Sequence, residues 1–183
     1  MSEEALFDQA FAIVVGEEGG FGNERTDKGN WTGGKVGSGE LRGTKFGISA
    51  AAYPKIDIAN LTLDAARAIY RRDYWAVAHC GELPPPLALL VFDAAVNNGP
   101  GRAIAWLQAA ANVPVDGDAV PISQRVGPVT RTAVAQAHGA TLCAEFMARR
   151  VDFMARDPDW SVFGLGWARR LCALPYHAMT LTA

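Results

Sequence analysis

The stretch "EEGGFGN" at residues 17–23 joins two adjacent carboxylates, a glycine pair, an aromatic ring and an amide side chain. An apolar pattern over residues 4–16 predicts an amphipathic helix that runs into it, carrying Phe7, Ala10, Phe11, Val14 and Val15 on its inner face. Glu17 and Glu18 then fall where the helix dipole is negative, which disfavours a charged carboxylate by roughly 0.3–1 kcal/mol. At about 1.4 kcal/mol per pKa unit the dipole alone is a small effect, but a neighbouring carboxylate and partial burial act in the same direction. Together they favour a carboxyl group that keeps its proton near neutral pH, the state a general acid needs. Asp27 follows Glu18 after nine residues, with glycines between them that let the chain turn back. It is expected to stay ionised and to act as a base or a charge stabiliser. Two carboxylates in unlike surroundings are the minimum for glycoside hydrolysis. Thr44, in "GTKFGIS", offers a hydroxyl to hold an attacking water. The same residues also read as a solvated helix end with glycine caps and an acid pair arising by chance, and on physical grounds alone both readings stand.

The elements that must position these groups are mostly helical. Gly19-Gly20 is expected to stop the first helix. Ten of the nineteen glycines lie between residues 19 and 47, where short Thr, Val and Trp segments predict a small β-hairpin or loop. A short helical turn is expected after Ser49, ending at Tyr53-Pro54. Thr62 reads as the N-cap of a helix carrying Ala65, Ile69 and Tyr70 on one stripe. Pro86 and Gly99-Pro100 bracket a helix that is apolar nearly all round, hence central and buried. Further helices are expected at 101–112, 128–138, 140–156 and 166–178, with "VPVDGDAVPISQRVGP" as an irregular connection. The fold class is mainly α, with one small β excursion near the front.

Composition narrows the function. Half of the 183 residues are hydrophobic and a fifth are charged, enough for a well-buried core. A formal charge of −2 and a pI near 5.9 argue against a nucleic-acid partner. Cys80, Cys143 and Cys172 are scattered and odd in number, and read as free thiols of a reducing compartment. No metal-ligand spacing appears, and Asp116-Gly117-Asp118 is too short for an EF-hand, so neither metal nor other cofactor is expected. No apolar run approaches the roughly 18 residues needed to span a bilayer, so stable membrane insertion is not expected. The first residues carry acids and no basic segment, unlike a Sec signal peptide.

"EEGGFGN…TDKGNWTGGKVGSGELRGTKFGIS" resembles the N-terminal region of glycoside hydrolase family 108, whose members are N-acetylmuramidases found as phage endolysins and as bacterial wall-cutting enzymes that assist secretion. The family's Glu-Gly-Gly-Tyr motif is matched by Glu18-Gly19-Gly20-Phe21, so a ring is kept and a hydroxyl lost. The resemblance implies Glu18 as general acid. In the wider lysozyme clan an acid nine residues on is followed by a threonine, which fits Asp27. An apparent insertion, "NWTGGKVGSGEL", then favours Thr44 over Thr32 for the hydroxyl. "VFDAAVNNGPGRAIAWLQ", "VDG…VGPVT" and "FGLGWARR" resemble the region described in that family as a predicted peptidoglycan-binding domain. The expected organisation is a catalytic region at 1–80 and a helical region at 81–183, packed as one lysozyme-like α+β unit.

Candidate substrate contacts are Phe21, Asn23, Trp31 and Tyr53, with Asp93 and Asn97 facing the cleft from the central helix. The implied activity is hydrolysis of the β-1,4 bond between N-acetylmuramic acid and N-acetylglucosamine, with inversion and retention both open. The alternatives are a lytic transglycosylase on the same bond, or a non-catalytic peptidoglycan-binding protein. The expected setting is a monomer made in the bacterial cytoplasm and acting on the wall in the periplasm, which needs a holin or a secretion system for export. A phage endolysin and a bacterial toxin-release muramidase both fit it.

Overall fold

The structure, a computed structural model, describes residues 1–16, 19–113 and 126–181. They contain seven α-helices and a two-stranded antiparallel sheet, the mainly α, lysozyme-like framework expected. The helices are α1 (Glu3–Val14), α2 (Leu63–Tyr70), α3 (Pro85–Asn98), α4 (Pro100–Ala110), α5 (Pro128–Gln136), α6 (Gly139–Met154) and α7 (Trp160–Thr180); the strands are β1 (Thr44–Lys45) and β2 (Ile48–Ser49). The chain divides into a unit of Met1–Ala10 with Arg71–Ala183, and a unit of Phe11–Tyr70. The first ten residues thus group with the helical part of the chain and not with the hairpin region that follows them.

In the larger unit α3 is the centre. Every residue from Leu87 to Ala95 is buried, and the helix packs on α4, α6 and α7. Pro85 and Pro86 fill its first turn, where a missing N–H costs nothing. Phe92 meets Phe7 at 5.9 Å and Trp75 at 5.3 Å between ring centroids, and Phe7 meets Trp75 at 5.3 Å, all edge to face. Such ring pairs add roughly 0.5–1.5 kcal/mol each beyond the area they bury. Glu3 accepts from the Trp75 indole N–H at 3.3 Å and pairs with Arg71 at 3.4 Å, while Glu4 makes a closer ion pair with the same arginine. The five residues from Arg71 to Trp75 form a π-helical turn, a form rare outside single-turn insertions.

The central acid of α3 departs from expectation. Asp93 has no exposed surface; its Oδ2 lies 2.6 Å from Arg150 Nη1 as a close ion contact without hydrogen-bond alignment, and its Oδ1 takes Arg170. Arg150 also donates to Asn98 Oδ1 at 3.0 Å. Burial lowers the Arg150 guanidinium from its ordinary value and Asp93 acts against that shift. Asp93 is therefore an ionic tie between α3, α6 and α7, with no free oxygen for a substrate. Asn97 is exposed but returns its amide N–H to the Asp93 carbonyl at 2.8 Å.

In the smaller unit Ile48, Ile58, Leu61, Ile69 and Tyr70 form a compact core with Phe11 and Val14. Phe11 and Tyr70 meet edge to face at 5.7 Å, and the Tyr70 hydroxyl donates to the Phe46 carbonyl at 3.1 Å. Helix α1 stops at Val14, earlier than expected, because Gly16 takes φ +72 and returns its N–H to the Phe11 carbonyl at 3.3 Å. The helix dipole therefore ends short of residue 17 and contributes less to a raised carboxyl pKa there than the sequence suggests. The strands join through Phe46-Gly47, with φ of +50 and +74, the signs a two-residue type I′ turn requires.

Candidate active site

Glu17 and Glu18 lie outside the described residues, but the backbone that leaves them does not. Gly19 accepts a hydrogen bond from the Phe46 N–H at 3.2 Å through its carbonyl. Gly22 and Thr44 exchange both main-chain bonds, at 2.9 and 2.8 Å. The segment after Glu18 is thereby laid as a third rung beside β1, on the edge that β2 does not use. Gly43 makes this approach possible. Its φ is +81, and a Cβ there would stand 2.5 Å from the Gly22 carbonyl oxygen and 2.6 Å from the Phe21 ring. The Phe21 ring therefore lies close against residue 43 while 44% of its surface stays exposed.

Asn30 organises the rest. It is 1% exposed, in a loop where most neighbours face water. Its Nδ2 donates to the Glu24 carbonyl at 3.1 Å, and its Oδ1 accepts from the Thr44 hydroxyl at 2.8 Å. A carbonyl can only accept, so the Glu24 contact fixes which end of the amide faces Thr44. The single Thr44 hydroxyl proton is then committed to Asn30, and what the hydroxyl offers outward is its lone pairs. The Asn30 main chain is equally engaged: its N–H donates to the Asp27 carbonyl at 3.2 Å, and its carbonyl accepts from Arg42 at 2.9 Å and Gly43 at 3.1 Å.

Asp27 caps the 3-10 turn Lys28–Asn30, with Oδ1 accepting the Gly29 N–H at 2.8 Å. The carboxylate is exposed, and among the described residues Oδ2 has no partner. One oxygen sets the orientation and the other faces outward, an arrangement suited to a charge stabiliser or a base. Asp27 and Thr44 are thus two hydrogen bonds apart through Asn30, a residue that no motif singles out. The only hint was an amide side chain in a Gly-rich loop, and no periodicity marks such a residue as buried.

The other candidates have mixed settings. Trp31 is half-buried, donates its indole N–H to the Arg25 carbonyl at 2.9 Å and bridges to Leu41. Asn23 is exposed, and Tyr53 is half-buried at the end of a turn closed by its N–H on the Ser49 carbonyl. Thr32 closes the inserted hairpin, its Oγ1 accepting the Glu40 N–H at 2.9 Å. Contact with the segment after Glu18 falls to Thr44 and not to Thr32. Among the described residues no group of three His, Cys, Asp or Glu could hold a metal, and no helix is long and apolar enough to cross a membrane.

An exposed carboxylate and an oriented hydroxyl, both tied to Asn30, thus make up the candidate site among the described residues. Residues 11–99 match the family model Glycosyl hydrolase 108. Among solved structures the chain is similar to SagA of Brucella abortus, with 26% identity, 96% of this chain and 95% of that one covered, and a TM-score of 0.76. No curated protein matches it. The protein is a glycoside hydrolase that acts on peptidoglycan.

Proposed function

We propose that the protein is an N-acetylmuramidase that hydrolyses the β-1,4 bond between N-acetylmuramic acid and N-acetylglucosamine. Glu18 protonates the glycosidic oxygen as the bond to the muramic acid anomeric carbon breaks. Asp27, through its outward oxygen, stabilises the oxocarbenium charge or takes a proton from the incoming water. Thr44 accepts a hydrogen bond from that water, since its own proton is held by Asn30. The hydroxyl of the water goes to the anomeric carbon, and the leaving sugar keeps the proton from Glu18.

The observation that carries this reading is the stitching of Gly19–Gly22 to Thr44, with Asp27 tied to the same strand through Asn30. That Gly19, Gly22, Asp27 and Thr44 share one hydrogen-bonded frame supports the reading. Phe21, Asn23, Trp31 and Tyr53 are the proposed sugar contacts around it. The test is Glu18→Gln on purified peptidoglycan. Loss of a general acid lowers turnover by roughly 10²–10⁴-fold, and a variant that clears walls as fast as the parent removes Glu18 from the mechanism. Mass spectrometry of the products supplies the second arm: a reducing muramic acid end marks hydrolysis, and a 1,6-anhydro ring marks a transglycosylase instead. The proposed setting is a lytic enzyme delivered to the wall by a holin or a secretion system, and a neighbouring holin gene favours the endolysin role.

A further inference from the structure

The outer face of α7 is largely apolar, with one arginine near its middle. Val162, Leu165, Arg169, Cys172, Tyr176 and Met179 recur every three or four residues, so they form one stripe about 25 Å long. The opposite face carries the buried residues Gly164, Leu171, Leu174 and Ala178. On the stripe, Val162 is 71% exposed, Leu165 67%, Tyr176 70% and Met179 78%. A helix that is apolar on both faces needs cover on both.

Two observations indicate what covers it. The 21 residues of α7 hold no acid, and with Arg170 engaged by Asp93 the exposed stripe presents Arg169 as its charge, in a chain whose formal charge is −2. Asp157 and Asp159 precede the helix at its N-terminal end, where its dipole accommodates them. Arg169 sits near the middle of the stripe. In a symmetric pairing of α7 with a second copy, parallel or antiparallel, this arginine meets its own counterpart with no acid to separate them. Secondly, Met179 also stands at the rim of a cavity of about 730 Å³ that runs between α3, α5, α6 and the end of α7. Among its described lining residues every side chain is apolar except the Cys143 thiol, so water finds few partners inside.

We infer that the outer face of α7 docks on an anionic lipid surface, with Arg169 at the headgroups and the adjoining cavity able to take an acyl chain. The combination of apolar and amphipathic side chains with positive charge and no negative charge is what interfacial helices show, and α7 meets it without being a span. The proposal is independent of the mechanism assigned to Glu18.

The test is flotation of the full-length chain with vesicles of phosphatidylglycerol and phosphatidylethanolamine, against vesicles of phosphatidylcholine alone. The parent is expected to float with the anionic vesicles and to bind the neutral ones at least about tenfold less. Leu165→Glu and Tyr176→Glu, both at exposed positions, are expected to weaken anionic-vesicle binding by roughly tenfold or more while clearance of purified walls and the melting temperature stay at parental values. Absence of flotation by the folded parent overturns the proposal, and so does a Leu165→Glu variant that floats as well as the parent. Sedimentation equilibrium covers the rival occupant: a parental dimer that Leu165→Glu dissolves, with no lipid binding, assigns the face to a second copy.

Discussion

Asn30→Ala is the sharpest test of the frame that holds the site. The substitution removes the acceptor of the Thr44 hydroxyl and the donor to the Glu24 carbonyl, from a residue that is 1% exposed. Each lost bond costs about 1 kcal/mol, and the partially buried groups left behind bring the total to roughly 2–3 kcal/mol. For a chain of this length that is a fall in melting temperature of about 5–10 °C, readable by differential scanning calorimetry. Thr44→Val keeps the strand geometry but removes the hydroxyl, and is expected to cost about 1 kcal/mol. If the two side chains act on each other, the double variant loses less than the two single changes combined, by about 1 kcal/mol. Both variants are also expected to clear peptidoglycan more slowly at temperatures well below melting. An Asn30→Ala protein that melts within about 1 °C of the parent, or a strictly additive double variant, refutes the assignment of Asn30 as the link between Asp27 and Thr44.

Three further outcomes follow from the same geometry. Gly43→Ala forces a side chain onto φ +81 and into the Gly22 carbonyl, and is expected to destabilise the protein by about 2 kcal/mol or more, seen as a lower urea midpoint. Asp93→Asn leaves the buried Arg150 guanidinium without its counter-charge; about 3–5 kcal/mol of stability should go, and a parental urea midpoint would show that the ion pair is not holding the helices. Burial raises the Cys80 thiol well above its ordinary value and also raises the half-buried Cys143 thiol, while Cys172 faces solvent. A disulfide reagent at pH 8 should therefore label Cys172 first and Cys80 only after denaturation, and rapid labelling of all three in the folded protein would contradict the packing.

The helices were legible because their apolar positions repeat with the helical period and because proline and glycine bracket them. Helix α3 shows this most clearly, with Pro85-Pro86 at one end and Gly99 at the other. Where glycine had another role, the reading slipped. The last helix was expected from residue 166 but begins at Trp160, since Gly164 does not break it. A Cβ at Gly164 would lie 2.8 Å from the Trp160 indole, so that glycine makes room for a ring. At α1 the earlier Gly16 ended the helix before the pair at 19–20. Asp93 was misplaced for a different reason: a carboxylate on an apolar helix suggests a cleft, and its two arginine partners lie more than fifty residues away in sequence. Pairings of that range leave no local trace. Asp27 stood out by its spacing from the motif and Thr44 through the apparent insertion before it, whereas Asn30 acts only through contacts that the fold creates.

The inserted hairpin has its own economy. Main-chain bonds between Thr32 and Glu40 and between Gly33 and Ser38 close it on itself, and its return end is received by the Asn30 carbonyl. Its tip at Lys35-Val36-Gly37 is exposed and owes nothing to the hydrogen-bonded frame around Asn30. Such a tip is a natural place for length to change: lineages can lengthen it, shorten it or redecorate it while the chemistry beneath keeps its alignment. A reporter peptide or an affinity tag spliced there should be carried as cargo.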